Sequence, residues 1–96
     1  MARLIWKRTE SEDHDVVFEL GAPVMTVGRD PDCGVFMDTP LLSREHARIE
    51  LREGAHVVVD LGSTNFTRVN GERIKERVLQ DGDEIHFSRT RCLYEA

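Results

Sequence analysis

The chain has 96 residues, with 18 Asp and Glu against 13 Lys and Arg, a net charge of −5 and two cysteines. That length suits a single domain over residues 1–96, burying roughly 60 to 68 per cent of the surface its unfolded chain exposes, so a core needs no staples. The acidic balance argues against a general nucleic-acid partner, and the longest uncharged stretch, Leu20 to Gly28, is nine residues and too short to cross a membrane.

In chain order, "RLIWKR" (3–8) and "DVVFEL" (15–20) read as strands, and the acidic "ESEDHD" (10–15) between them as a solvated hairpin turn. "VMTVGR" (24–29) and "VFM" (35–37) follow, separated by the turn signal "DPDCG". "HARIEL" (46–51) alternates, with Ala47, Ile49 and Leu51 on one face. "HVVVDL" (56–61) does so with Val57, Val59 and Leu61, and "EIHF" (84–87) with Ile85 and Phe87. "RCLYE" (91–95) closes the set. "GAP", "TP", "EG", "NG" and "DGD" punctuate these runs, each too short for a helix. Many short strands between frequent turns predict an all-β sandwich of antiparallel sheets.

The N-terminal "MARLIWKRTESED" lacks the apolar region of a signal peptide, so the expected setting is the cytoplasm, with Cys33 and Cys92 reduced. Four histidines and two cysteines are scattered without ligand spacing, so no metal or other cofactor is expected. Asn65-Phe66-Thr67 fits a glycosylation sequon, which matters only in a secreted protein.

Function on a sandwich sits in its loops. Three stand out: "GRDPDCG" (28–34), "DTPLLSREH" (38–46) and "DLGSTNFTRVNG" (60–71). They hold Arg29, the pair Ser43-Arg44, and the triplet Ser63-Thr64-Asn65. A guanidinium for charge-assisted bonds, with hydroxyls and amides for the remaining oxygens, is what a phosphate needs. Arg29, Arg44, Arg48, Arg52, Arg68 and Arg73 are dispersed along the chain, so a local basic pocket on an acidic body is admissible.

The order Gly28-Arg29, Ser43-x-x-His46, Gly62-Ser63-Thr64-Asn65 and Asn70-Gly71 resembles the signature of forkhead-associated (FHA) domains. The resemblance runs from about Leu4 to Tyr94. It implies a sandwich of two twisted antiparallel sheets with the binding loops at one end, a non-catalytic signalling role, and a threonine-phosphorylated protein or peptide as partner. By the same resemblance Arg29, Ser43, Arg44 and Thr64 bind phosphate and Asn65 holds the peptide backbone. Gly28, His46, Gly62, Asn70 and Gly71 give structural support, Asn70-Gly71 as a hairpin turn.

Phe66 departs from the pattern, because the family usually has glycine there. Either the loop is rebuilt, or Phe66 takes ordinary backbone angles and projects beside the peptide groove. In the second case Phe66, with Leu41 and Leu42 across the groove, would select an apolar peptide residue a few positions beyond the phosphothreonine.

Two other classes of function compete. Ser43 and His46 suggest nucleophile and base, but three extended residues would separate them by about 10 Å with side chains on opposite faces, and no nucleophile elbow is present. An FHA-like module binding its partner independently of phosphorylation is the serious rival. Phosphothreonine peptides and their unphosphorylated twins discriminate between them.

Overall fold

Turn residues recur so often that every strand stays short. The computed structural model describes residues 1–8 and 14–96. Among the described residues eleven strands are formed: β1 (Arg3–Trp6), β2 (Val16–Glu19), β3 (Val24–Gly28), β4 (Val35–Phe36), β5 (Ala47–Arg52), β6 (Ala55–Asp60), β7 (Thr67–Val69), β8 (Glu72–Ile74), β9 (Glu76–Val78), β10 (Glu84–Phe87) and β11 (Thr90–Glu95). A six-stranded sheet has the order β2-β1-β11-β10-β7-β8 and a five-stranded sheet the order β4-β3-β5-β6-β9. The expected sandwich is therefore present, antiparallel except where the two-residue β4 pairs parallel with β3.

The core lies between the sheets. Leu4, Val69, Ile85, Phe87 and Cys92 of one sheet and Val27, Val35, Ala47, Ile49 and Val58 of the other are essentially fully buried. Each large apolar side chain removed from water contributes about 1.5 to 3 kcal/mol. His56 Nδ1 and the Tyr94 hydroxyl share a hydrogen bond of 2.9 Å from one sheet to the other. The Cys92 thiol lies 3.9 Å from the Met37 sulfur and the two cysteines are free, which suits the reduced reading.

The alternation in "EIHF" is met, with Ile85 and Phe87 both inward. In β6 the parity is the opposite of the one expected. Ile49 pairs with Val58 and Ala47 with Asp60, so His56, Val58 and Asp60 face the other sheet. Leu51 is 49% exposed, because β5 outruns the core at that end. Strands β7, β8 and β9, three residues each and mostly polar, were not among the expected runs. Residues 10–13 of the expected acidic turn lie outside the described residues; beside them, Lys7 and Asp15 form an ion pair at 2.8 Å between the β1 and β2 arms.

Strand register places the loops. Val27 pairs with Ala47 and Ala47 with Asp60, so the end of β3, the start of β5 and the end of β6 lie side by side. In the other sheet Phe87 pairs with both Thr67 and Thr90. Thus the loops after Gly28, before Ala47, between Asp60 and Thr67, and at Ser88-Arg89 gather at one end.

Candidate functional site

Gly28 begins the site by having no side chain. A Cβ there would sit 1.9 Å from the Arg44 carbonyl oxygen and 3.1 Å from that of Ser43, so only glycine lets β3 meet the 43–44 backbone. The contact is hydrogen-bonded: Arg29 N–H donates to the Ser43 carbonyl at 3.3 Å and Asp30 N–H to that of Arg44 at 3.2 Å. Arg29 is exposed, and its Nε donates to the Leu42 carbonyl at 2.9 Å, which holds the guanidinium over the 40–43 loop. Among the described residues no carboxylate pairs with Arg29.

Ser43 joins two loops. Its hydroxyl oxygen accepts from Thr64 N–H at 3.3 Å, and its own N–H donates to His46 Nδ1 at 3.4 Å. Residues 43–46 form a turn, which corrects the expectation of an extended segment with Ser43 and His46 held about 10 Å apart. The contact is nevertheless to the serine backbone, so the imidazole braces the turn and leaves the hydroxyl alone. His46 Nε2 carries the proton and donates to the Phe66 carbonyl at 2.9 Å. The ring is fully buried, edge-on to Phe87 at 5.8 Å between centroids. Burial lowers its pKa from the ordinary value; the Phe66 bond and the nearby Asp60 charge act the other way without prevailing.

Asp60 organises the 60–67 loop, a role the sequence reading missed. Oδ2 accepts from the N–H groups of Gly62 at 3.1 Å and Ser63 at 3.2 Å. Oδ1 accepts from the hydroxyls of Ser63 at 2.6 Å and Thr67 at 2.8 Å. Burial opposes its ionisation, but these bonds together outweigh burial and lower its pKa. Ser63 and Thr67 are thereby used within the loop, and Thr64 and Asn65 are left exposed at its tip. An Asp just ahead of Gly-Ser was the legible signal, since short carboxylates capture the N–H groups that follow them.

Phe66 has a left-handed backbone, at φ 68°, so of the two alternatives the one with ordinary angles and a projecting ring is not taken. Its carbonyl accepts from both His46 Nε2 and Ser88 N–H, the latter at 3.0 Å, and two such bonds fix a conformation that phenylalanine disfavours. The ring does not project freely. The Arg73 guanidinium carbon lies 3.4 Å from its centroid, a cation–π stack that covers one face.

Arg29, Pro40, Leu41, Leu42, Ser43, Thr64 and Asn65 line one open concavity of about 230 Å³. Arg44 is not among its lining residues. Leu42 is only 2% exposed and belongs to the core, so Leu41, 43% exposed, is the leucine left on the rim. Asn70 and Gly71, at φ 51° and 84°, make the two-residue β7–β8 turn, and the Asn70 amide reaches Asp83 and the N–H of Glu84. Gly62 is likewise at positive φ, 74°, within the Asp60 turn.

The family model for the FHA domain matches residues 25–88. The oxoglutarate dehydrogenase inhibitor of Corynebacterium efficiens is 43% identical over 77 residues, 80% of this chain and 54% of that protein. The glycogen accumulation regulator GarA of Mycolicibacterium smegmatis is 40% identical over 77 residues, 80% of this chain and 49% of its own length. The chain thus spans about half the length of the curated relatives it matches. Among solved structures, EmbR of Mycobacterium tuberculosis in complex with a low-affinity phosphopeptide superposes with a TM-score of 0.86 at 28% identity, over 98% of this chain and 24% of that one. The matched span begins in β3 and ends at Ser88, enclosing every loop that builds the concavity, and this chain belongs to the FHA domain family.

Proposed function

We propose that the domain is a non-catalytic module that binds phosphothreonine peptides of partner proteins, with the phosphate seated between Arg29, Ser43 and Thr64. The observation that carries this reading is a guanidinium with no carboxylate partner among the described residues, in a chain of net charge −5, sharing one concavity with Ser43, Thr64 and Asn65. Arg29 Nε is used by the Leu42 carbonyl, so the side chain is already oriented and its terminal nitrogens suit two phosphate oxygens. Asn65, exposed at the loop tip, offers a donor and an acceptor to an extended peptide backbone.

Charge-assisted hydrogen bonds of about 1.5 to 3 kcal/mol each give three such contacts about 4.5 to 9 kcal/mol before entropic costs, which spans the scale of micromolar binding. The phosphorylation-dependent FHA interaction fits the inhibitor and regulator roles named for the relatives. We place the domain in the cytoplasm, where its two free cysteines stay reduced. A catalytic role for Ser43 lacks support, because its hydroxyl accepts from Thr64 N–H and no base reaches it among the described residues.

Isothermal calorimetry with one phosphothreonine peptide and its unphosphorylated twin tests this. Phosphate-dependent micromolar binding that Arg29→Ala nearly abolishes is the expected result. Equal binding of the two peptides would instead support a module that recognises its partner without phosphate.

A further inference from the structure

Among the described residues the two sheets end in the edge strands β2, β8, β4 and β9. An unpaired edge templates pairing with another chain unless shortness, charge or proline blunts it. β4 has two residues, and β8 and β9 have three each, beginning Glu72-Arg73 and Glu76-Arg77. β2 differs: its four residues are Val16-Val17-Phe18-Glu19, with neither proline nor lysine, and no described strand pairs with its outer side. Leu20 N–H donates to the Ala2 carbonyl at 3.0 Å, and bonded and non-bonded pairs alternate along an antiparallel ladder. Phe18 and Val16 therefore also turn their backbone groups toward β1, while Glu19, Val17 and Asp15 turn theirs to the free edge.

The same register sorts the side chains. Val16 and Phe18 lie opposite Trp6 and Leu4 and continue the core layer. On the outer face Leu93, Ile5 and Val17 form an apolar row that Val17, 47% exposed, ends at the edge. Beyond it on one side run Glu95, Arg3 and Glu19. On the other side the basic row of Arg73, Arg68, His86 and Arg91 continues through Lys7 to Asp15.

We propose that β2 pairs antiparallel with β2 of a second copy of this chain, about a two-fold axis at Val17. In that register Val17 exchanges both free backbone bonds with its own counterpart, and Asp15 does so with the counterpart of Glu19. The outer apolar row doubles in length, and Val16 meets the counterpart of Phe18 on the core side. Asp15 facing Glu19 is unfavourable alone, but each has a base on its other side, Lys7 at 2.8 Å and the cross-strand neighbour Arg3. Centring the axis on Phe18 would instead set Val17 against Glu19 and break the apolar row, and an odd shift would turn core side chains outward. Because the paired strands run in opposite directions, the two phosphate concavities face away from each other and stay open. The pairing thus stands whether or not the domain reads phosphate. An edge this short buries less than the about 1,200 Å² of a stable interface, so the dissociation constant falls at about 0.1 to 1 mM. Two copies recruited to one partner reach effective concentrations of that order.

Sedimentation equilibrium of the 96-residue chain tests this. The weight-average mass is expected to rise from near the monomer value at about 10 μM to about 1.5 to 1.8 times that value at about 1 mM. Val17→Lys, which sets two charges on the axis, should keep the chain monomeric at both concentrations. So should Val17→Pro, which deletes an N–H directed at the free edge and none bonded to β1. Val78→Lys, at the comparably exposed end of β9, should leave the rise unchanged, and circular dichroism checks that each variant is folded. In amide NMR of the parent, the signals of Asp15, Val17 and Glu19 should shift with concentration. A chain that stays monomeric at about 1 mM overturns the proposal, as does association that survives both Val17 substitutions or whose concentration-dependent shifts lie away from β2. Val17 shifts seen only when an unrelated extended peptide is added would give the edge to another protein's strand and overturn self-pairing.

Discussion

The imidazole of His46 spans the site from beneath, accepting from Ser43 N–H on one loop and donating to the Phe66 carbonyl on another. Both bonds require the neutral ring with its proton on Nε2, so one buried side chain sets the separation of the loop bearing Ser43 from the loop bearing Thr64 and Asn65. His46→Ala leaves both backbone groups unpaired and a void beside Phe87. Unsatisfied buried partners cost about 1 to 3 kcal/mol, and the melting temperature of a domain this small falls about 4 to 8 °C per kcal/mol. Thermal unfolding and peptide affinity should both suffer. An unchanged melting temperature with lost affinity would place His46 on the peptide.

How much of this was legible depended on whether a residue's role is local. "EIHF" alternates without ambiguity, and Ile85 and Phe87 are buried as read. "HVVVDL" has three consecutive valines, and its polar residues His56 and Asp60 share the inward face with Val58 because each is hydrogen-bonded there, so only the pairing of Val58 with Ile49 decides which valine faces the core. The short strands β7 to β9 carry mostly polar residues and exist because neighbouring strands supply their hydrogen-bond partners. Arg29, Ser43, Thr64 and Asn65 are legible as a motif. The row formed by Arg73, Arg68, His86 and Arg91 is a product of register, which sequence spacing does not encode.

Phe66 offers a separate test of backbone strain. At φ 68° a phenylalanine pays a cost of about 1 to 2 kcal/mol that glycine avoids, while the Arg73 stack returns about 0.5 to 1 kcal/mol. Phe66→Gly should therefore lie within about 1 kcal/mol of the parent in urea unfolding. Phe66→Ala keeps the strain and loses the ring, so it should be the less stable variant by about 1 kcal/mol. An alanine variant as stable as the glycine variant would show that the left-handed conformation is not retained.

Two glycines in the same loop region should respond very differently to one added methyl group. In Gly28→Ala the new Cβ meets the backbone of Arg44, which cannot swing aside without moving Ser43 and the Arg29 N–H bond. Overpacking of that kind costs about 1 to 3 kcal/mol or more, and peptide affinity should fall with stability. In Gly34→Ala the nearest atom is the terminal methyl carbon of Met25 at 3.2 Å, on a flexible side chain that can give way. Denaturant unfolding of the two variants is the measurement, and equal destabilisation would remove close backbone approach as the reason for Gly28.

Acid should loosen the loops in two stages. The pKa of His46 is lowered from its ordinary 6.5, chiefly by burial, and His56 is shifted the same way by burial. The unfolded chain then binds protons more readily than the folded one, so the stability these rings provide is complete above about pH 6.5 and is lost as pH falls toward their folded values. Protonation of His46 also removes the lone pair that accepts from Ser43 N–H. Asp60, lowered from 3.8 because hydrogen bonds from Ser63 and Thr67 outweigh its burial, adds a second loss below that pH. Urea midpoints from pH 8 to pH 3 should therefore hold level to near pH 7, decline below pH 6.5, and steepen below about pH 4. In Asp60→Asn the second decline should shrink, because the group that titrates there is gone. A midpoint that stays constant from pH 8 to pH 5 would mean that neither imidazole is held neutral by burial, and the bracing role of His46 would lose its electrostatic basis.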